Sequence, residues 1–144
     1  MAQKPCCTDD YGPFVNWALL LLRIVVSVSM LSHGAPKLVS LFLGDFNFPD
    51  PIGLGPELSL VLATFAEFFC SVFILVGYRS RLAAIPLIIT MLVALIIVHG
   101  NDSVLDHINI LLYLFTYAIL VHLGGGKFTL SYYFFMKKKN SEPS

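Results

Sequence analysis

Residues 14–33 read FVNWALLLLRIVVSVSMLSH, and residues 58–77 read LSLVLATFAEFFCSVFILVG. Each stretch has the length an α-helix needs to cross the hydrocarbon core of a bilayer, about 20 residues. Each also carries one charge near its middle, Arg23 in the first and Glu67 in the second. A charge at the bilayer centre costs at least ~2.5–3.5 kcal/mol on insertion scales, so it is expected to face a partner or a wet cavity. Opposite signs on neighbouring helices predict a buried pair.

Two shorter apolar blocks follow, Leu82 to Val98 and Ile108 to Leu123. Both are near the lower limit for a span, ~17 residues, and are expected to tilt or to sit short in a bundle. Of the 144 residues, 57% are hydrophobic and 12% charged, with mean hydropathy +0.81. A soluble domain carries about twice that charge. The expected fold is an all-α integral membrane four-helix bundle. Its transmembrane domain covers 14–123, with spans at about 14–33, 58–77, 82–98 and 108–123. Residues 1–13 form an N-terminal tail and 124–144 a basic C-terminal tail. The first block is too long for the apolar core of a signal peptide and no small-residue cleavage site follows it, so it reads as a mature helix.

Orientation follows from the positive charges in the short loops. Lys4, Arg79, Arg81, Lys127 and the run Lys137, Lys138, Lys139 fall on one side of four crossings. The other side has Lys37 among Asp45, Asp50, Glu57, Asp102 and Asp106. Both termini of the multi-pass chain are therefore expected in the cytoplasm. The connection 34–57 is long for a bundle and is broken by Pro36, Pro49, Pro51 and Pro56, so it reads as an extracytoplasmic loop.

Residues at i, i+4, i+7 and i+11 share a helix face. The rule groups Arg23, Ser27, Met30 and Gly34 on span one. On span two it groups Leu60, Thr64, Glu67, Ser71 and Ile74, and on span four Asp106, Asn109, Tyr113, Thr116 and Leu120. Polar stripes of this kind are expected to face one another. Counted from the outer ends of their spans, Arg23 and Glu67 both lie on the order of 15 Å deep. Their pairing would either fix helix register or form a proton or ligand site.

His33, His99 and His107 gather at the outer face, with Lys37 one turn beyond His33. Histidines there could bind metal or relay protons. Coming from three different spans, they fix no coordination geometry and read as interfacial residues, not a metal site. A polar ligand site is the better expectation, drawn from Arg23, His33, Lys37, Glu67, Asn109 and Tyr113. His122 reads as an interface residue at the inner end. Cys70 reads as a packing residue. Cys6 and Cys7, adjacent in the tail, read as reduced thiols because a vicinal disulfide is strained.

Leu22-Arg23-Ile24 followed by His33-Gly34-Ala35-Pro36-Lys37 resembles the first helix of the DoxX-like family. Glu67-Phe68-Phe69-Cys70, then Leu75-Val76-Gly77-Tyr78-Arg79-Ser80-Arg81-Leu82-Ala83-Ala84, continues the likeness. So do Met91 and His99, and the glycine-rich basic stretch Gly124 to Leu130. The resemblance covers nearly the whole chain beyond the N-terminal tail. It implies a four-helix bundle in a bacterial cytoplasmic (inner) membrane, working beside the quinone pool. The family takes its name from a small subunit of a thiosulfate:quinone oxidoreductase, and other members are linked to oxidative-stress complexes. Cys6-Cys7 departs from the family pattern, and the loop 34–57 is variable within it.

Three functions are open to such a chain. The first is a quinone-linked membrane subunit of an oxidoreductase. In it Arg23, His33 and Tyr113 donate to the head group, Glu67 carries protons, and Phe65, Phe68 and Phe69 line the pocket. No flavin, haem or iron–sulfur motif is present, so electrons would come from a redox partner protein or from the quinone itself. The second is a non-enzymatic anchor or assembly partner, with Lys137 to Lys139 meeting anionic lipid or a soluble enzyme. The third is a small-solute transporter, which would require a homo-oligomer because four short helices enclose a narrow core. The short basic tail offers no nucleic-acid surface.

Overall fold

The structure is a computed structural model that describes residues 11–98 and 104–141. Every regular element among them is helical. Helix α1 is Pro13–Leu43, of 31 residues. Helix α2 is continuous over Pro56–Val76, with a π-helical stretch at Phe65–Cys70. Helix α3 is Ser80–Val93 and runs on as π-helix through Ala94–Val98. Helix α4 is Val104–Leu123, and a further helix, α5, is Leu130–Ser141.

Three helices are long and apolar enough to cross a membrane, Pro13–Leu43, Pro56–Val76 and Ser80–Ile97; a shorter apolar helix covers His107–Leu123. Their outward faces are as apolar as their core. Ile96 is 70% exposed and Phe115 67%, which suits contact with lipid and not with water. The chain is a helical membrane bundle. Leu19, Val26, Met30, Ile74, Leu87, Tyr117 and Leu120 fill its centre. Ala66, Ala83 and Ala84 are buried with them and let the helices approach closely.

Two features differ from the sequence reading. Residues 34–43 are helix, not loop: α1 runs straight through Pro36 and ends at Gly44, which takes the left-handed conformation (φ 71°). A proline inside a helix costs about 3 kcal/mol. Here the turn is gripped on both sides of it. A Cβ on Gly34 would lie 2.8 Å from the backbone of Glu67 and Phe68, so α1 and α2 meet there backbone to backbone. One turn on, Lys37 forms an ion pair with Glu67. The second difference is α5, in the segment read as a tail. Thr129 caps it, its Oγ1 accepting from the Tyr132 N–H at 3.1 Å.

The remaining loop is pinned by Asp50. Its carboxylate accepts the N–H groups of Leu54 (3.0 Å) and Gly55 (2.8 Å) and the Ser59 hydroxyl (2.8 Å). The Gly55 N–H contributes most to holding the Asp50 carboxyl below the usual carboxylate range.

The charges divide between the two ends of the bundle. Arg79, Arg81, Lys127, Lys137 and Lys138 lie at one, the basic end, where α2 stops, α3 starts and α4 turns into α5. Asp45, Asp50 and Glu57 lie at the other, the acidic end.

Because the Asp50 carboxyl is held below its unfolded value, its grip is complete above about pH 4 and is lost as pH falls through the lower folded value. Protection of the Leu54 and Gly55 amides from hydrogen exchange, relative to the intrinsic rate at each pH, should be high at neutral pH, fall only below the usual carboxylate range, and be low at neutral pH in Asp50→Ala.

Candidate functional site

Arg23 and Glu67 are both buried, at 1% and 4% exposure, but they do not pair. Arg23 turns toward the basic end. Its Nε donates to the Ile74 carbonyl (2.9 Å) and its Nη2 to that of Leu75 (2.9 Å). Its Nη1 donates to the carbonyls of Gly125 (3.0 Å) and Phe128 (2.7 Å). Ile74 and Leu75 belong to the last turn of α2, where the helix dipole is negative; the Ile74 carbonyl also accepts the Gly77 N–H at 3.1 Å. The guanidinium thus caps α2 and at the same time ties down the loop between α4 and α5.

The surrounding residues are shaped to this charge. Gly77 is left-handed (φ 75°), and a Cβ there would come within 2.7 Å of Arg23 Nη2 and of Thr129 Cβ. Asn16, one face-turn before Arg23, holds the same loop by accepting the Lys127 N–H at 3.0 Å. The sequence reading put Arg23 level with Glu67 because it ended the first helix at His33. The helix runs ten residues further, so Arg23 lies deeper, beside the end of α2.

Glu67 takes Lys37 instead. It sits in the π-helical turn Phe65–Cys70, and such turns recur at functional sites because they re-aim side chains. Lys37 engages Glu67 Oε1, while Oε2 is buried and accepts no hydrogen bond. Other buried oxygens around the core lack partners too, among them Ser27 Oγ, Thr64 Oγ1, Ser71 Oγ and the Tyr117 hydroxyl. Gly34 touches Glu67 and Arg23 reaches Ile74, so the α1 face between them, with Ser27, lies along the α2 segment that holds Ser71. Buried polar groups are seldom left unpaired, and a set of them is where internal water or a ligand group belongs.

Tyr117 is fully buried in the bundle core, and its hydroxyl is one of the unpartnered oxygens. Its ring stacks on Tyr113 at 6.4 Å between centroids. Tyr113 in turn meets the His33 ring edge-on at 6.4 Å and hydrogen-bonds through its hydroxyl to Ser29 Oγ. His33, Tyr113 and Tyr117 are thus linked ring to ring, while Lys37 and Glu67 form an ion pair, both on the acidic-end side of Arg23.

Of the residues read from the sequence, Lys37 pairs with Glu67 and His33, itself exposed, meets Tyr113, while Arg23 stands apart. Asn109 is exposed. His107 is half-buried at the start of α4, and His99 lies outside the described residues, as do Cys6 and Cys7. Tyr117 was missed by the sequence reading. Its position four residues after Tyr113 was the available signal.

Double-mutant cycles separate the two arrangements. In detergent-solubilised protein, Lys37→Met and Glu67→Gln should couple by about 0.5 kcal/mol or more in thermal stability. Arg23→Lys and Glu67→Gln should add within ~0.5 kcal/mol. Arg23→Gln alone should cost on the order of 3 kcal/mol, since it strips charged hydrogen bonds from several carbonyls.

The family model described as DoxX matches residues 18–100, more than half of the chain. No curated protein and no solved structure matches it. The matched segment includes Arg23, Gly34, Lys37, the π-helical Glu67 and the Gly77 turn, so the residues that organise both ends of the bundle lie within it, and the chain belongs to the DoxX family.

Proposed function

We propose that this protein is a quinone-linked membrane subunit of an oxidoreductase, with its head-group site at His33, Lys37, Glu67 and Tyr113. The observation that carries the reading is the half-occupied Glu67 carboxylate: one oxygen held by Lys37, the other buried and unpartnered. A quinone head group needs hydrogen-bond donors near its carbonyl oxygens, apolar walls, and a route for protons. Lys37 and His33, one turn apart on α1, and the Tyr113 hydroxyl supply donors. Phe48 lies under the Lys37 ammonium at 5.5 Å, and Phe68 and Phe69 pack edge to face nearby on α2.

Reduction of the head group takes two electrons and two protons. The electrons would come from the redox group of a partner subunit and both protons from the aqueous phase, relayed one at a time by Glu67, which would be reprotonated from water between the two transfers. The charge division between the two ends supports a cytoplasmic membrane with both termini in the cytoplasm. Arg23 has no part in this reading beyond keeping the bundle closed.

Purified protein in mild detergent should carry close to one extractable quinone per chain. That content should fall at least fivefold in folded Glu67→Gln and Lys37→Met and stay unchanged in the lipid-facing control Val25→Ala. Background quinone, equal in all variants, would overturn the redox reading in favour of a non-enzymatic anchor.

A further inference from the structure

Two open hollows at the basic end share one lysine. The first, about 430 Å³, is walled by Val76, Tyr132, Tyr133 and Met136. The second, about 620 Å³, is walled by Tyr11, Pro13, Asn16 and Trp17. Lys127 and Phe128 line both. Phe128 stands between the hollows, its ring tilted against Trp17 at 5.0 Å. Its position is fixed from below, because its carbonyl is one of the acceptors of Arg23 and the preceding N–H is held by Asn16. Lys127 is exposed, with Nζ 5.9 Å from the Tyr132 ring.

Depth and charge say what fits there. Val76 is the last residue of α2, so the first hollow opens where hydrocarbon gives way to head groups. Its apolar wall continues the lipid-facing side chains of that helix, such as Phe73. Arg79, Arg81, Lys127, Lys137 and Lys138 all lie at this end.

We propose that the basic end binds one anionic diacyl phospholipid, its phosphate at Lys127 and one acyl chain on each side of Phe128. The two hollows match two chains. The single lysine over both matches one phosphate, and its charge favours a head group with net negative charge over a zwitterionic one. The site is separate from Glu67 and does not depend on the quinone reading.

Trp17 is the chain's single tryptophan and lines the second hollow, so its fluorescence reports occupancy directly. The protein would be reconstituted in phosphatidylcholine vesicles holding a minor fraction of lipid brominated on its acyl chains. Brominated phosphatidylglycerol should quench Trp17 with an apparent affinity about fivefold above that of brominated phosphatidylcholine, the increment expected for one basic residue near the surface. The preference should vanish in Lys127→Gln and shrink at high salt in the unaltered chain. An unchanged Trp17 spectrum without bromine checks the fold of the variant, and the salt series tests the claim even if the variant misfolds. Equal quenching by the two lipids overturns the proposal. So does a preference that survives in folded Lys127→Gln, or no quenching by either lipid, as when a protein covers this face.

Discussion

The bundle is closed by a cation that has no counter-ion among the described residues. Arg23 is sunk among helices, and the carbonyls at the end of α2 and in the loop after α4 take the place of a carboxylate. This works because a helix C-terminus is already a site of unsatisfied oxygens and partial negative charge, so one guanidinium satisfies groups that would otherwise be orphaned in an apolar setting. Lysine would not serve as well. Its ammonium is a point charge, whereas the planar fork of arginine reaches carbonyls from two separate segments in one plane. Gly77 and Gly125 are then forced: a Cβ at either would lie inside contact distance of Arg23, Thr129 or Ser80.

Releasing Arg23 from Glu67 changes what each charge is for. Arg23 makes four hydrogen bonds and joins parts of the chain that are far apart. Glu67 is under-satisfied and sits in a locally unwound turn. The first pattern is that of a fastening and the second that of a site. Each lies toward one end of the bundle, and each α1 residue that meets α2 can be assigned to one of them: Arg23 to the fastening, Gly34 and Lys37 to the site.

Most of the fold was legible because lipid imposes long apolar runs, and the stripes on the first two helices are buried as the 3.6-residue period requires. The charge partners were not legible, for one physical reason. Depth in a membrane helix is counted from its end, and the end was placed at His33, just before Pro36. Nothing local says that Pro36 is tolerated; that depends on Gly34 docking on α2 and on Lys37 finding Glu67, both long-range events. The π-helical turn was hidden as well, since it shifts the helical period by one residue within a run where almost every residue is apolar. Helix α5 has aromatic residues in its first half and lysines in its second, segregated along its length and not around it, so it carries no periodic signature.

Two acceptors of Arg23, Gly125 and Phe128, lie 102 and 105 positions further along the chain. During synthesis the arginine therefore enters the membrane with the first helix, long before those carbonyls exist. Until residue 128 has left the ribosome the charge depends on water, lipid phosphate or the insertion machinery for company. Completion of its acceptor set is a late event that only a full-length, correctly threaded chain can reach. A chain truncated before the glycine-rich loop keeps its apolar spans and the Ile74 and Leu75 carbonyls, but leaves the Nη1 side of a buried guanidinium without the acceptors that Gly125 and Phe128 supply.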